Sequence, residues 1–123
     1  MRRDTTALIS HSAASTGVNG PEQGAGSAKG VLIYIDIDAI SGTSPTLTVT
    51  LQGKSPVSNE YHTILASAAL TATGLTILKV YPGLTAAANA AVSDILPSVW
   101  RVVSAIGGTT PSVTATISAS LID

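Results

Sequence analysis

The chain has 123 residues and a mass of 12.3 kDa, enough for one domain and too little for two. Apolar residues make up 45% and charged residues only 11%, six basic against seven acidic, which leaves no field for nucleic acid or an anionic membrane. Cysteine is absent, so this sequence offers no disulfide, no thiolate nucleophile and no cysteine metal site.

A folded chain of this mass should expose about 6,100 Å² and bury about two-thirds of its extended surface, which suits an ordinary single core. Ser and Thr number 31 and take the surface positions that Lys and Glu usually fill. With a formal charge of −1 and a mean hydropathy of +0.42, self-repulsion is weak and association is favoured. Met1-Arg2-Arg3-Asp4 is followed by no apolar run, so no secretory leader is expected. The uncharged stretch 61–78 has membrane-spanning length, but His62, Ser67, Gly74 and its threonines interrupt it, and no membrane span is expected.

Taken in chain order, the period-two segments begin with a weak strand at residues 5–10. Residues 12–28, rich in Ser, Ala and Gly, read as a long loop or flexible arm. Residues 29–40 form the clearest strand, with Val31, Ile33, Ile35 and Ile37 on one face and Leu32, Tyr34, Asp36 and Asp38 on the other. Ser41-Gly42-Thr43-Ser44-Pro45 reads as a turn into a strand at 46–52, where Leu47, Val49 and Leu51 alternate with Thr46, Thr48, Thr50 and Gln52. Gly53-Lys54-Ser55-Pro56 is a second turn. Strands at 61–66 and 75–80 follow, separated by Thr73-Gly74. After Tyr81-Pro82-Gly83, the alanine-dense residues 84–92 support one or two helical turns at most. Two last strands, 100–106 and 112–121, flank Gly107-Gly108-Thr109-Thr110-Pro111. No internal repeat or heptad is expected.

Few side chains suggest chemistry. His11 and His62 are far apart in sequence, and no serine has a nucleophile-elbow context, so both histidines are expected to be structural. Asp36 and Asp38 share a strand face, but a Ca²⁺ would need further oxygens, from Glu60 or loop carbonyls. A solvated face, or a contact to a neighbour's Lys or Arg, is the simpler expectation. Gly24-x-Gly26 precedes a strand and not a helix, so it lacks the anion-binding N-terminus of a phosphate loop. Arg2 and Arg3 are expected to be solvated, the alternative being a short basic arm that pairs with an acidic neighbour in an assembly. Trp100, in a chain without phenylalanine, should be the largest piece of the core.

Four segments carry a resemblance: Gly30-Val-Leu-Ile-Tyr-Ile-Asp36, Leu51-Gln-Gly-Lys-Ser-Pro56, Val80-Tyr-Pro-Gly-Leu84 and Asp94-Ile-Leu-Pro-Ser-Val-Trp-Arg-Val102. In order and spacing, from about Lys29 to Leu121, the chain resembles small β-rich virion structural proteins of tailed bacteriophages. The resemblance implies a particle component, of the capsid-decoration or neck and tail accessory type. It brings no catalytic residues with it.

The expected fold is all-β, an antiparallel β-sandwich, in one reading jelly-roll-like, with residues 1–28 as an arm or loop carrying a first strand and 29–123 as the sandwich domain. The expected function is a non-enzymatic structural subunit of a virion, most simply a capsid decoration protein. It would act as a homo-oligomer with other virion proteins, without cofactor, metal, nucleic acid or membrane. A neck, collar or tail accessory protein is the alternative, and so is a β-sandwich module that binds carbohydrate or a host surface. An exposed tyrosine among polar groups would favour the last reading.

Overall fold

A computed structural model describes residues 5–24 and 28–122. The accessible surface is 6119 Å², as the mass alone predicts for one compact unit. All regular structure among the described residues is β: β1 (Thr5–Ala14), β2 (Gln23–Gly24), β3 (Gly30–Lys54), β4 (Tyr61–Ala66), β5 (Gly74–Val80), β6 (Ala91–Val92) and β7 (Val99–Ile122). They form one mixed sheet in the order β1-β7-β3-β5-β6, with β2 also on β7 and β4 also on β3. All the pairs are antiparallel except β5 with β6.

Its spine is the ladder between β3 and β7, which are 25 and 24 residues long. Residues 41–45 and 107–111, expected as turns, reverse nothing; they lie opposite each other inside this ladder. The turn chemistry is real, but both strands carry it at the same level. Gly42 (φ 123°) and Ser44 (φ 49°) face Gly108 (φ 109°) and Thr110 (φ 46°), so each strand absorbs a bulge and the ribbon bends without ending. The bend divides the ribbon into two arms. In the first, residues 30–40 pair with 113–122, flanked by β5 and β1. In the second, residues 46–54 pair with 99–107, flanked by β4 on one side and by β2 and Asn19 on the other.

Both arms obey the alternation. Val31, Ile33, Ile35 and Ile37 are buried on the first, together with Val113, Ala115, Ile117 and Ala119; Leu47, Val49, Leu51, Trp100 and Val102 are buried on the second. They join one core cluster, so the inner faces of the arms share a single hydrophobic interior. The cluster crosses the expected boundary at residue 28, since β1 contributes Leu8 and Ile9 and Ala28 is buried with them.

Two further expectations need correction. Residues 12–14 extend β1, and Asn19, Gln23 and Gly24 pair with β7, so much of 12–28 is built into the sheet; residues 25–27 lie outside the described residues, as do Arg2 and Arg3. Residues 84–92 form no helix. Asn89 at φ 59° and the bridge between Ala87 and Ala91 fold them into a tight turn that delivers β6 to β5. Helix propensity loses to that pairing.

The register also exposes an internal repeat, where none was expected. Ala39-Ile-Ser-Gly-Thr-Ser-Pro-Thr-Leu-Thr-Val-Thr50 matches Ala105-Ile-Gly-Gly-Thr-Thr-Pro-Ser-Val-Thr-Ala-Thr116 at seven of twelve positions. The ladder is two-fold symmetric about Thr43↔Thr109: Ser41↔Ser112 mirrors Thr46↔Gly107, Ile40↔Val113 mirrors Leu47↔Ile106, and Ala39↔Thr114 mirrors Thr48↔Ala105. The flanks follow. Ile9↔Ile117 corresponds to Leu51↔Leu65, and Ala14↔Val113 to Leu47↔Leu70. Even the bulge opposite Ser118 and Ile117 recurs opposite Gln52 and Leu51. The protein is thus two halves of like design, β1 to β3 and β4 to β7, with the long strand of each flanked by the short strands of the other.

Two predictions follow from this packing. A Cβ on Gly42 would stand 2.7 Å from the Thr110 carbonyl oxygen, and one on Gly108 would stand 2.7 Å from that of Ser44, so symmetry gives them the same clash on top of positive φ. Gly42→Ala and Gly108→Ala should therefore destabilise alike, by about 1–3 kcal/mol each, read by denaturant unfolding. Trp100 is fully buried opposite Gly53, and its Nε1–H has no acceptor among the described residues. Trp100→Ala should cost about 3–5 kcal/mol, and Trp100→Phe less, because it removes an unpaired donor. The native protein should fluoresce with a blue-shifted maximum.

Candidate functional site: a polar cluster and an inter-arm pair

The densest group of polar side chains lies on the outer face of the second arm. Alternation sends Gln52 and Lys54 of β3 outward, opposite Arg101 of β7 and Tyr61 of β4. The Arg101 guanidinium lies 3.6 Å from the centre of the Tyr61 ring, and its Nε donates to Gln52 Oε1 at 2.9 Å. Glu22, just before β2, accepts from Lys54 Nζ at 2.7 Å and from the Tyr61 hydroxyl. These two hydrogen bonds, that from Lys54 foremost, hold the Glu22 carboxyl below the usual carboxylate range. Glu22 in turn raises the Tyr61 phenol and the Lys54 ammonium. The group is solvent-screened and adds little to stability. It presents an aromatic ring among a carboxylate, an amide and two cations. Sequence reading missed it, because Glu22, Lys54, Tyr61 and Arg101 come from four separated segments.

A second feature is buried between the arms. His11 of β1 and Ser104 of β7 share a hydrogen bond at 2.9 Å, Nε2 to Oγ. The Val18 N–H donates to the same Oγ at 3.0 Å, while the Ser104 N–H donates to the Val18 carbonyl at 2.9 Å. Residues 16–19 and 104–106 line an open groove over this pair. A serine and a histidine thus meet across 93 residues, which the sequence did not indicate. Ser104 Oγ also accepts from the Val18 N–H, and the group forms a polar tie between the arms. Burial pushes the His11 imidazole below its ordinary value, because desolvation disfavours the charged form.

Asp36 is exposed beside Leu75 and Thr116, while the ladder steps from Ile37↔Ala115 to Ala39↔Thr114 and leaves Asp38 as the extra residue of a bulge. No group of three His, Asp or Glu that could hold a metal ion occurs among the described residues. His62 is exposed on β4, and Tyr34 is half-buried on the outer face of the first arm.

The buried imidazole gives a pH prediction. Its folded pKa lies below that of the unfolded chain, so the unfolded state takes up the proton first as pH falls. The contribution of His11 should be complete above about pH 6.5 and decline as pH drops from there through the folded value. Urea unfolding across pH 5 to 8 should show this slope, and His11→Asn should flatten it. Ser104→Ala should cost about 1–3 kcal/mol, because it strands the Val18 N–H and the imidazole.

No protein-family model, no curated protein and no solved structure matches this chain.

Proposed function

We propose that the chain is a structural subunit of a tailed-phage virion, without enzymatic activity, and that capsid decoration is its role. The observation that carries this reading is the make-up of the outer strand faces. Thr48 and Thr50 on β3 and Thr114, Thr116 and Ser118 on β7 line the exposed side of the spine with short uncharged side chains. Such a surface loses little side-chain entropy and desolvates little charge when it is covered by another subunit. The resemblance of residues 29–121 to small virion proteins points the same way, and low charge suits a protein packed among copies.

In this reading the arms are the two layers of a β-sandwich, closed over one core at the bend. The His11–Ser104 contact, the Leu96 N–H to Lys29 carbonyl bond at 2.9 Å and the shared core support it. A long antiparallel ribbon bent at its middle is also how a jelly-roll-like fold is made. The Tyr61 cluster favours one rival specifically, a module that binds carbohydrate or a host surface, because it sets an aromatic ring among hydrogen-bonding groups.

Sedimentation with purified phage shells and with purified tails tests the proposal. The protein should pellet with shells at a fixed copy number. Pelleting with tails alone would move it to the neck and tail class. Failure to bind either, with glycan binding lost in Tyr61→Ala, would replace the proposal with the carbohydrate reading.

A further inference from the structure

The interface that this chain can offer most directly to a second copy is the one it already uses on itself. Among the described residues, every backbone strand pairing of the first half is made with the second. β1 and β2 pair with β7, β3 pairs with β4, β5 and β7, and the bridges of Asn19 and Leu47 reach Val103 and Leu70. No strand of residues 5–54 pairs with another strand of residues 5–54. The halves therefore stand to each other as two protomers of an interlocked dimer, joined only through residues 55–60 between Lys54 and Tyr61.

That connection is short and constrained. It contains Pro56, Asn59 at φ 61° and a Val57 side chain that is 90% exposed, and it is closed by hydrogen bonds from the Ser55 N–H to Glu60 and from the Asn59 N–H to Ser55. Opened out, its six residues span about 20 Å, enough to carry one half into a neighbouring molecule. The polar cluster at the mouth of this loop does not oppose opening. Glu22 with Lys54 stays within the first half and Arg101 with Tyr61 within the second, while the bonds from Tyr61 to Glu22 and from Arg101 to Gln52 join the halves and form equally well between two chains.

We propose that this protein associates with a second copy by reciprocal exchange of halves across residues 55–60, the first half of each chain pairing with the second half of the other. All ladder bonds and the whole core recur in the exchanged dimer. Only the loop differs, so the balance between monomer and dimer is set by loop geometry and concentration. This stands apart from the virion role: it requires a partner of identical chemistry and no particle.

The chain has no cysteine, which makes the test clean. Thr48 and Ala105 are directly paired across the halves on the outer face. A T48C/A105C variant is concentrated, separated by size and oxidised. The dimer peak should run as a covalent dimer on a non-reducing gel, because each disulfide then joins two chains. A dimer that yields only internally cross-linked monomers is held by surface docking and overturns the proposal, and so does a chain that stays monomeric at high micromolar concentration. Deleting Val57, Ser58 and Asn59 should shift the wild-type chain toward the dimer, and a Gly-Ser insertion after Val57 should shift it back. Independently of these variants, residues 1–56 and 57–123 co-expressed as separate chains should purify as a folded one-to-one complex. A half that forms a stable sheet alone would also overturn the proposal.

Discussion

Everything in this molecule depends on the pairing of β3 with β7. Those two strands hold both arms, and β1, β2, β4 and β5 all pair along their edges, with only β6 added outside, on β5. An antiparallel ladder this long can be continuous only if its bends coincide, which is why Gly42 and Ser44 lie level with Gly108 and Thr110. From Ser41 to Thr43 the extra residue is on β7, and from Thr43 to Thr46 it is on β3, so the two shifts cancel and the register is restored beyond the bend. With bulges on both, Leu47 and Val113 remain buried alike and belong to one core cluster.

The two-fold plan also shows where the halves have diverged. Trp100 opposite Gly53 on one arm answers Ile33 opposite Ala119 on the other, a large side chain set against a small one in each case. His11 lies beside Ala115 and reaches Ser104, whereas its counterpart Ser67 stays local, accepting from the Val49 N–H at 2.9 Å. Arg101 and Tyr61 stand where the first arm has Tyr34 and Thr5. Among the described residues, the Glu22–Lys54–Tyr61–Arg101 cluster lies on the second arm, while the His11–Ser104 contact draws on both arms. That asymmetry is the best reason to look there for whatever distinguishes one face of the protein from the other.

Much of the sheet could be read from the chain, because alternation is a local property. The inward set from Val31 to Ile37, the set from Leu47 to Leu51 and the burial of Trp100 all follow from period two and side-chain size. What could not be read was non-local. Turn chemistry at Gly42 and Gly108 looks the same whether the chain reverses or bends, and only the coincidence of the two segments in register decides. The repeat escaped notice because Thr-rich strands all look alike and the bulge at Asp38 breaks the spacing just before it. The polar cluster drew on four segments, and the His11–Ser104 tie on two strands 93 residues apart, so neither had a local signal.

The division into halves also has a temporal side. A protein is made from its N-terminus at roughly 5–20 residues per second, and a segment pairs only with what has already emerged. Here β3, 25 residues long and nearly free of charge after Asp38, leaves the ribosome before any strand that it will bond. Contacts of such high sequence separation also slow folding, because loop closure precedes any gain from pairing. During synthesis the strands of the first half find no pairing partner among themselves. Until β4, β5 and β7 have emerged, the edges of β3 have no strand to pair with, and they are then open to another chain in the same state.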